Sequence, residues 1–200
     1  MTSPSSSPTP LDTYRVFGYG SLIFKANARL KATTYHSNDH RGTPEDPGRV
    51  VTLISIDDWN HFSENDAFPH DDIVWGVVYT IDPDFAAEVK AYLGFQNGYT
   101  ETTVDVWNIV DGKESVVESK VTVYVGRPDN PAFVGSEPYD QLARHIWSHS
   151  GPSGQNKDYL YNLADAIRKL APESHDSHLV ALEERVRALD SATEVELHGA

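Results

Sequence analysis

A few stretches of this chain hold residue types at spacings that could do chemistry. Residues 16–23 read VFGYGSLI. Glycines at 18 and 20 let successive backbone N–H groups converge on an anionic group, and the Ser21 hydroxyl adds a donor. The same pattern also suits a turn at a barrel rim, where glycine serves backbone geometry alone. It is not a dinucleotide-binding turn, because the third glycine, the long following helix and the acidic partner are missing. His145 and His149 stand at i,i+4, and His175 and His178 at i,i+3, spacings that can hold a metal. No third ligand clusters with either pair in the sequence, so solvated or core histidines are the favoured reading and no metal site is expected. Gly151-Pro152-Ser153-Gly154 precedes a helix in the manner of an anion-binding loop, yet no Lys-Ser/Thr completes a P-loop, and helix capping explains it better. Tyr159 lies on a helix face and either points into the pocket or takes the more ordinary role of core packing with a tethered hydroxyl.

These residues need elements to position them. Residues 1–12 are Ser, Thr and Pro with little to bury and should form a disordered tail. RVFGYGSLIF reads as strand, turn and a second short strand, followed by a long polar stretch through about Gly48. Strands are expected at 49–56, 73–81, 100–110 and 116–125, all rich in β-branched and aromatic residues. The last two should pair across Asp111-Gly112, a strong hairpin signal. Helices are expected at 85–93, opened by Asp82-Pro83 and closed by Gly94, then at 139–148, at 157–170 behind a cap at Ser153 or Asn156, and at 177–190. This order gives an α+β domain over residues 13–190, with a curved or closed sheet and helices against it, and a disordered tail at 191–200.

Composition removes whole classes of function. With 16 Lys+Arg against 30 Asp+Glu the net charge is −14, which repels phosphate backbones and anionic membranes, so nucleic acid is not an expected partner. No apolar run reaches the ~20 residues a membrane helix requires, and the N-terminus lacks the basic and apolar regions of a signal peptide. The absence of cysteine excludes disulfides, thiolate catalysis and thiolate metal sites, and fits a cytoplasmic location.

Several blocks in a fixed order resemble one family. VFGYGSLIF, DHRGTPEDPGRVVTLI at 39–54, VWGVVYTI at 74–81, VKAYL with a later NGY at 89–99, YVGRPDNPAFVG, and GPSGQNKDYLYNLADAI closely resemble the ChaC-like γ-glutamylcyclotransferases. The likeness runs from about Tyr14 to Asp190. It implies a small closed β-barrel with flanking helices, and cleavage of glutathione to 5-oxoproline and cysteinylglycine without a cofactor. It further implies that the backbone of Gly18, Tyr19, Gly20, Ser21, Leu22 and Ile23 binds the γ-glutamyl unit, and that Arg41 and Arg49 either meet the glycine end of glutathione or tie down Asp39, Glu45 or Asp46.

The chain departs from its relatives twice. The family places a catalytic glutamate in R-E-x-x-G-Y, whereas this chain reads AYLGFQNGY at 91–99, with Phe95 or Gln96 at the position of the acid. Neither can accept a proton from an ammonium group. Glu88, upstream on the helix, matches a family glutamate near the site and is the candidate replacement, while Glu101 lies just beyond the turn. Between Phe24 and Asp39 the chain is also shorter by roughly the length of a strand and its turn, so the barrel is expected to lack one strand. A non-catalytic protein that binds γ-glutamyl compounds or glutathione is the rival reading.

Overall fold

The computed structural model describes residues 13–25, 41–62, 64, 66–68, 73–94, 98–172 and 176–198. The expected N-terminal tail, His175, Asp39, Phe95, Gln96 and the place of the missing strand lie outside these residues. Four strands form one sheet in the order β2-β1-β4-β3. Strand β1 (Arg15–Gly18) pairs antiparallel with β2 (Val77–Thr80) and parallel with β4 (Lys113–Gly126), which pairs antiparallel with β3 (Tyr99–Val110). Asp111 and Gly112 take φ values of 51° and 70°, the positive pair that a tight hairpin with the native strand twist requires. A bulge divides β4. Lys120 has a φ of 55° where the register shifts, and beyond it Val121 and Val123 are fully buried while the ribbon before it is exposed.

Among the described residues this sheet is open, with β2 and β3 at its edges, so the expected closed barrel is not what these strands make. The reason is visible at residues 49–55. The expected strand at 49–56 joins no ladder; one backbone bond ties it to the sheet, from the Gly126 N–H to the Leu53 carbonyl at 2.7 Å. Its other partner is a helix. The fully buried Asn156 side chain accepts from the Arg49 N–H at 2.6 Å and donates to the Arg49 carbonyl at 2.7 Å, which satisfies the backbone as a neighbouring strand would. The segment then ends in helix α2 (Ile56–Trp59), whose N-cap Ser55 accepts from the Asp58 N–H.

Helix α1 (Ser21–Lys25) takes the place of the second short strand expected after the glycine turn, and α3 is Ala86–Gly94. Helix α4 (Tyr139–Ser148) matches its expected span; α5 (Asn156–Leu170) follows a small hairpin, β5 (Ser150–Gly151) and β6 (Gly154–Gln155). The N-cap of α5 is Gln155 without a side-chain bond, not Ser153 or Asn156. Helix α6 (Ser177–His198) continues past Asp190 into the residues expected to be a tail. Ile146, Leu160, Leu163, Ile167, Leu182 and Val186 bring α4, α5 and α6 together in one core. Asp190 joins the same helices at their rim, accepting from Trp147, Lys157 and Tyr161. No helix among the described residues is long and apolar enough to cross a membrane.

Candidate active site

The glycine turn sits where β1 ends and α1 begins, and each glycine has a physical cause. Gly20 has a φ of 58°, and a Cβ there would stand 2.7 Å from Val51 Cγ1 and 3.0 Å from the Tyr159 hydroxyl. At Gly18 a Cβ would meet the Tyr79 ring at 2.7 Å. Gly20 thus meets both a left-handed backbone and close neighbours, and Gly18 a close neighbour alone. Two amides of the turn are engaged, since Leu22 N–H donates to the Tyr19 carbonyl and Ile23 N–H to the Gly20 carbonyl.

Tyrosines surround the turn. Tyr19 donates its hydroxyl to the Tyr124 carbonyl at 2.8 Å, and Tyr79 donates to the Leu22 carbonyl at 2.7 Å. Tyr159, buried in the helical core, accepts from the Val51 N–H at 3.3 Å, so its ring packs in the core while its tethered hydroxyl borders the turn at Gly20. Burial, reinforced by nearby Tyr99, pushes the Tyr19 phenol up to about 12, and burial likewise raises Tyr124 and Tyr159. At neutral pH these phenols are therefore hydrogen-bond donors and not bases. Nothing in the sequence marks Tyr79 or Tyr124 as neighbours of the turn, because tyrosine in a strand reads first as packing.

The model of the ChaC-like protein family matches residues 14–189. The chain is 37% identical over 193 residues to the glutathione-specific γ-glutamylcyclotransferase of Schizosaccharomyces pombe, with 90% of this chain and 95% of that one covered. It is 36% identical over 199 residues to the protein of the same name in Saccharomyces cerevisiae, covering 78% of this chain and 85% of the relative. A crystal structure of the glutathione-specific γ-glutamyl cyclotransferase from yeast matches with a TM-score of 0.66 at 33% identity, over 89% of this chain and 99% of that chain. The chain belongs to the ChaC-like family.

The carboxylates of this ChaC-like chain are placed unequally. Glu88 is exposed on α3. Glu101 stands opposite Tyr124 in the β3–β4 ladder, accepts from the Tyr124 hydroxyl at 3.3 Å and pairs with Lys90 at 3.1 Å. The Tyr124 hydroxyl also meets that of Tyr14 at 3.0 Å. Glu101 is thus linked through one residue to the carbonyl that holds Tyr19.

Of the remaining candidates, Arg41 borders the turn through Tyr159, its guanidinium lying 5.7 Å from that ring's centre. Arg41 is buried and donates through Nη1 to the Ser153 carbonyl at 2.8 Å and the Gln155 carbonyl at 3.3 Å. The GPSG hairpin therefore turns carbonyls to a cation, the reverse of an anion-binding loop. Arg49 makes a two-pronged pair with Glu137 at 2.7 and 3.0 Å, not with Asp46 or Glu45, and this pair holds the Glu137 carboxyl below its ordinary value. His178 packs edge-on against Phe68 and Tyr139. His145 and His149 do acquire a third neighbour. Asp46, about a hundred residues earlier, lies with them so that one ligand-type atom from each falls within 4.8 Å of the others; no sequence spacing announces it.

Proposed function

We propose that this ChaC-like protein is a γ-glutamylcyclotransferase that cleaves glutathione to 5-oxoproline and cysteinylglycine. What carries the reading is the match along almost the whole of relatives named for that activity, and the matched span includes a turn whose glycines the local geometry requires. The α-amine of the γ-glutamyl unit attacks its own γ-carbonyl, a new C–N bond closes the lactam, and the amide C–N bond to cysteine breaks. Two protons leave the attacking nitrogen and the departing cysteine nitrogen gains two, so neither water nor an enzyme-bound intermediate is consumed. The protein must hold the substrate curled, stabilise the tetrahedral oxyanion and relay a proton.

The backbone of residues 18–23 is the proposed seat of the γ-glutamyl unit. With Leu22 and Ile23 engaged within the turn, the donors proposed for the α-carboxylate or the oxyanion are the amides of Tyr19, Gly20 and Ser21, with the Ser21 hydroxyl. For the proton, likeness to the family favours Glu88, whereas the hydrogen bond to Tyr124 favours Glu101. The activity is proposed for one domain over residues 13–190, in the cytoplasm, with a small-molecule substrate and no nucleic-acid partner, as the −14 charge supports.

Release of 5-oxoproline from glutathione tests the reading. The wild-type chain should form it in step with cysteinylglycine. Glu88→Gln or Glu101→Gln, whichever removes the base, should lower kcat by about 10²–10⁴ while the other leaves it nearly unchanged. Saturable glutathione binding without product would favour the non-catalytic binding protein.

A further inference from the structure

We propose that Asp46, His145 and His149 form a binding site for a divalent transition metal of the zinc type, away from the glycine turn. His145 and His149 occupy the last turn of α4 and its C-cap, and their rings stack at 3.6 Å with planes 11° apart. Asp46 reaches them from the segment that leads into residues 49–55, and its Oδ1 lies 2.9 Å from His149 Nε2.

The accounting of protons argues for a cation here. His149 Nδ1 lies 2.6 Å from the His145 carbonyl oxygen, and a carbonyl can only accept, so that nitrogen carries the ring proton. In the neutral ring Nε2 is then a bare lone pair. It is buried, makes no hydrogen bond of acceptable geometry and faces a carboxylate oxygen. Two lone pairs at that distance repel unless a positive centre stands between them: a second ring proton makes it an ion pair with Asp46 alone, whereas a metal ion is shared by all three side chains.

The donor set selects the class of ion. Two imidazole nitrogens and one carboxylate oxygen suit zinc and its transition-metal neighbours, with a fourth position left for water. Calcium and magnesium prefer oxygen alone. His145 Nε2 is 2.9 Å from the Pro47 carbonyl, so by the same accounting that nitrogen carries the ring proton and Nδ1 is the lone pair His145 offers an ion. Coordination requires the two stacked rings to turn until their lone pairs converge. The Asp46 side chain is 73% exposed, which leaves the ion a path from solvent.

Occupancy would staple the segment around Asp46 to α4. That segment continues through Arg49, held by Asn156, to Val51 against Gly20, so a bound ion should raise overall thermal stability.

The test is calorimetric titration of zinc chloride into the full-length chain after chelator treatment, beside thermal melts with and without zinc. The expected result is one zinc per chain and a melt that moves upward. His149→Gln should weaken binding by about 100-fold or more, beyond the 10–100-fold typical of changes outside the coordination shell. Asp46→Asn should weaken it by about tenfold or more, and neither variant's melt should respond to zinc. His61→Gln, which alters an exposed histidine bonded only locally to the Asp57 carbonyl, should bind as wild type. Circular dichroism establishes that each variant is folded. The proposal is overturned if His149→Gln binds zinc with unchanged affinity. It is equally overturned if the wild type shows only several weak sites among its nine histidines, which would leave Asp46 and His149 as an ion pair alone.

Discussion

At the scale of single residues, Gly20 is the most sharply constrained position of the turn. Gly20→Ala adds a methyl group 2.7 Å from Val51 Cγ1 on a backbone with a φ of 58°. The left-handed conformation alone costs about 1–2 kcal/mol, so Tm should fall by about 2–8 °C. Gly112→Ala is the matched control, because its φ is 70° but nothing lies within 4 Å of the added carbon. Thermal melts should rank the Gly20 variant below the Gly112 variant, and only the former should lose 5-oxoproline formation. Tyr19 predicts an alkaline limit to stability. Its phenol is pushed from the ordinary value near 10 up to about 12, so the unfolded chain loses this proton first as pH rises. The stabilisation is complete below pH 10 and is lost between about 10 and 12. Denaturant titrations across that window should show a steeper decline for wild type than for Tyr19→Phe.

At the scale of elements, Asn156 does the work of a strand. Asn156→Ala removes both side-chain bonds to the Arg49 backbone and leaves a partly buried N–H and carbonyl unpaired, at a cost of about 2–3 kcal/mol. Hydrogen exchange should then quicken through residues 49–53 while β3 and β4 remain protected. This interaction explains why residues 49–56 read as a strand in the sequence. The segment has the β-branched residues of a buried edge, but its partner is a side chain over a hundred residues away, which no local pattern records. The hairpin at Asp111-Gly112 was legible, because its turn chemistry lies within two residues and demands positive φ. The helices α4 and α5 were legible from apolar spacing for the same local reason. Helix α1 was not, since five residues are too few for a period to appear.

At the scale of the whole molecule, the sequence blocks led to the family but not to the closure of the sheet. Barrel closure depends on strand partners that meet only in three dimensions, and the described strands leave β2 and β3 as edges. The glycine turn was visible because two glycines and a serine in a strand-like run are locally odd. The tyrosines around it were not, and neither was Asp46 beside the two histidines of α4; each is an ordinary residue made significant by tertiary contact. The turn amides are the proposed seat of the γ-glutamyl group. Titration of the ¹⁵N-labelled chain with a non-cyclising γ-glutamyl analogue, followed by amide shifts, addresses that seat directly. The amides of Tyr19, Gly20 and Ser21 should shift together and saturate with the same affinity as the bulk binding isotherm. Saturable binding that leaves those three unmoved while amides elsewhere respond would contradict it.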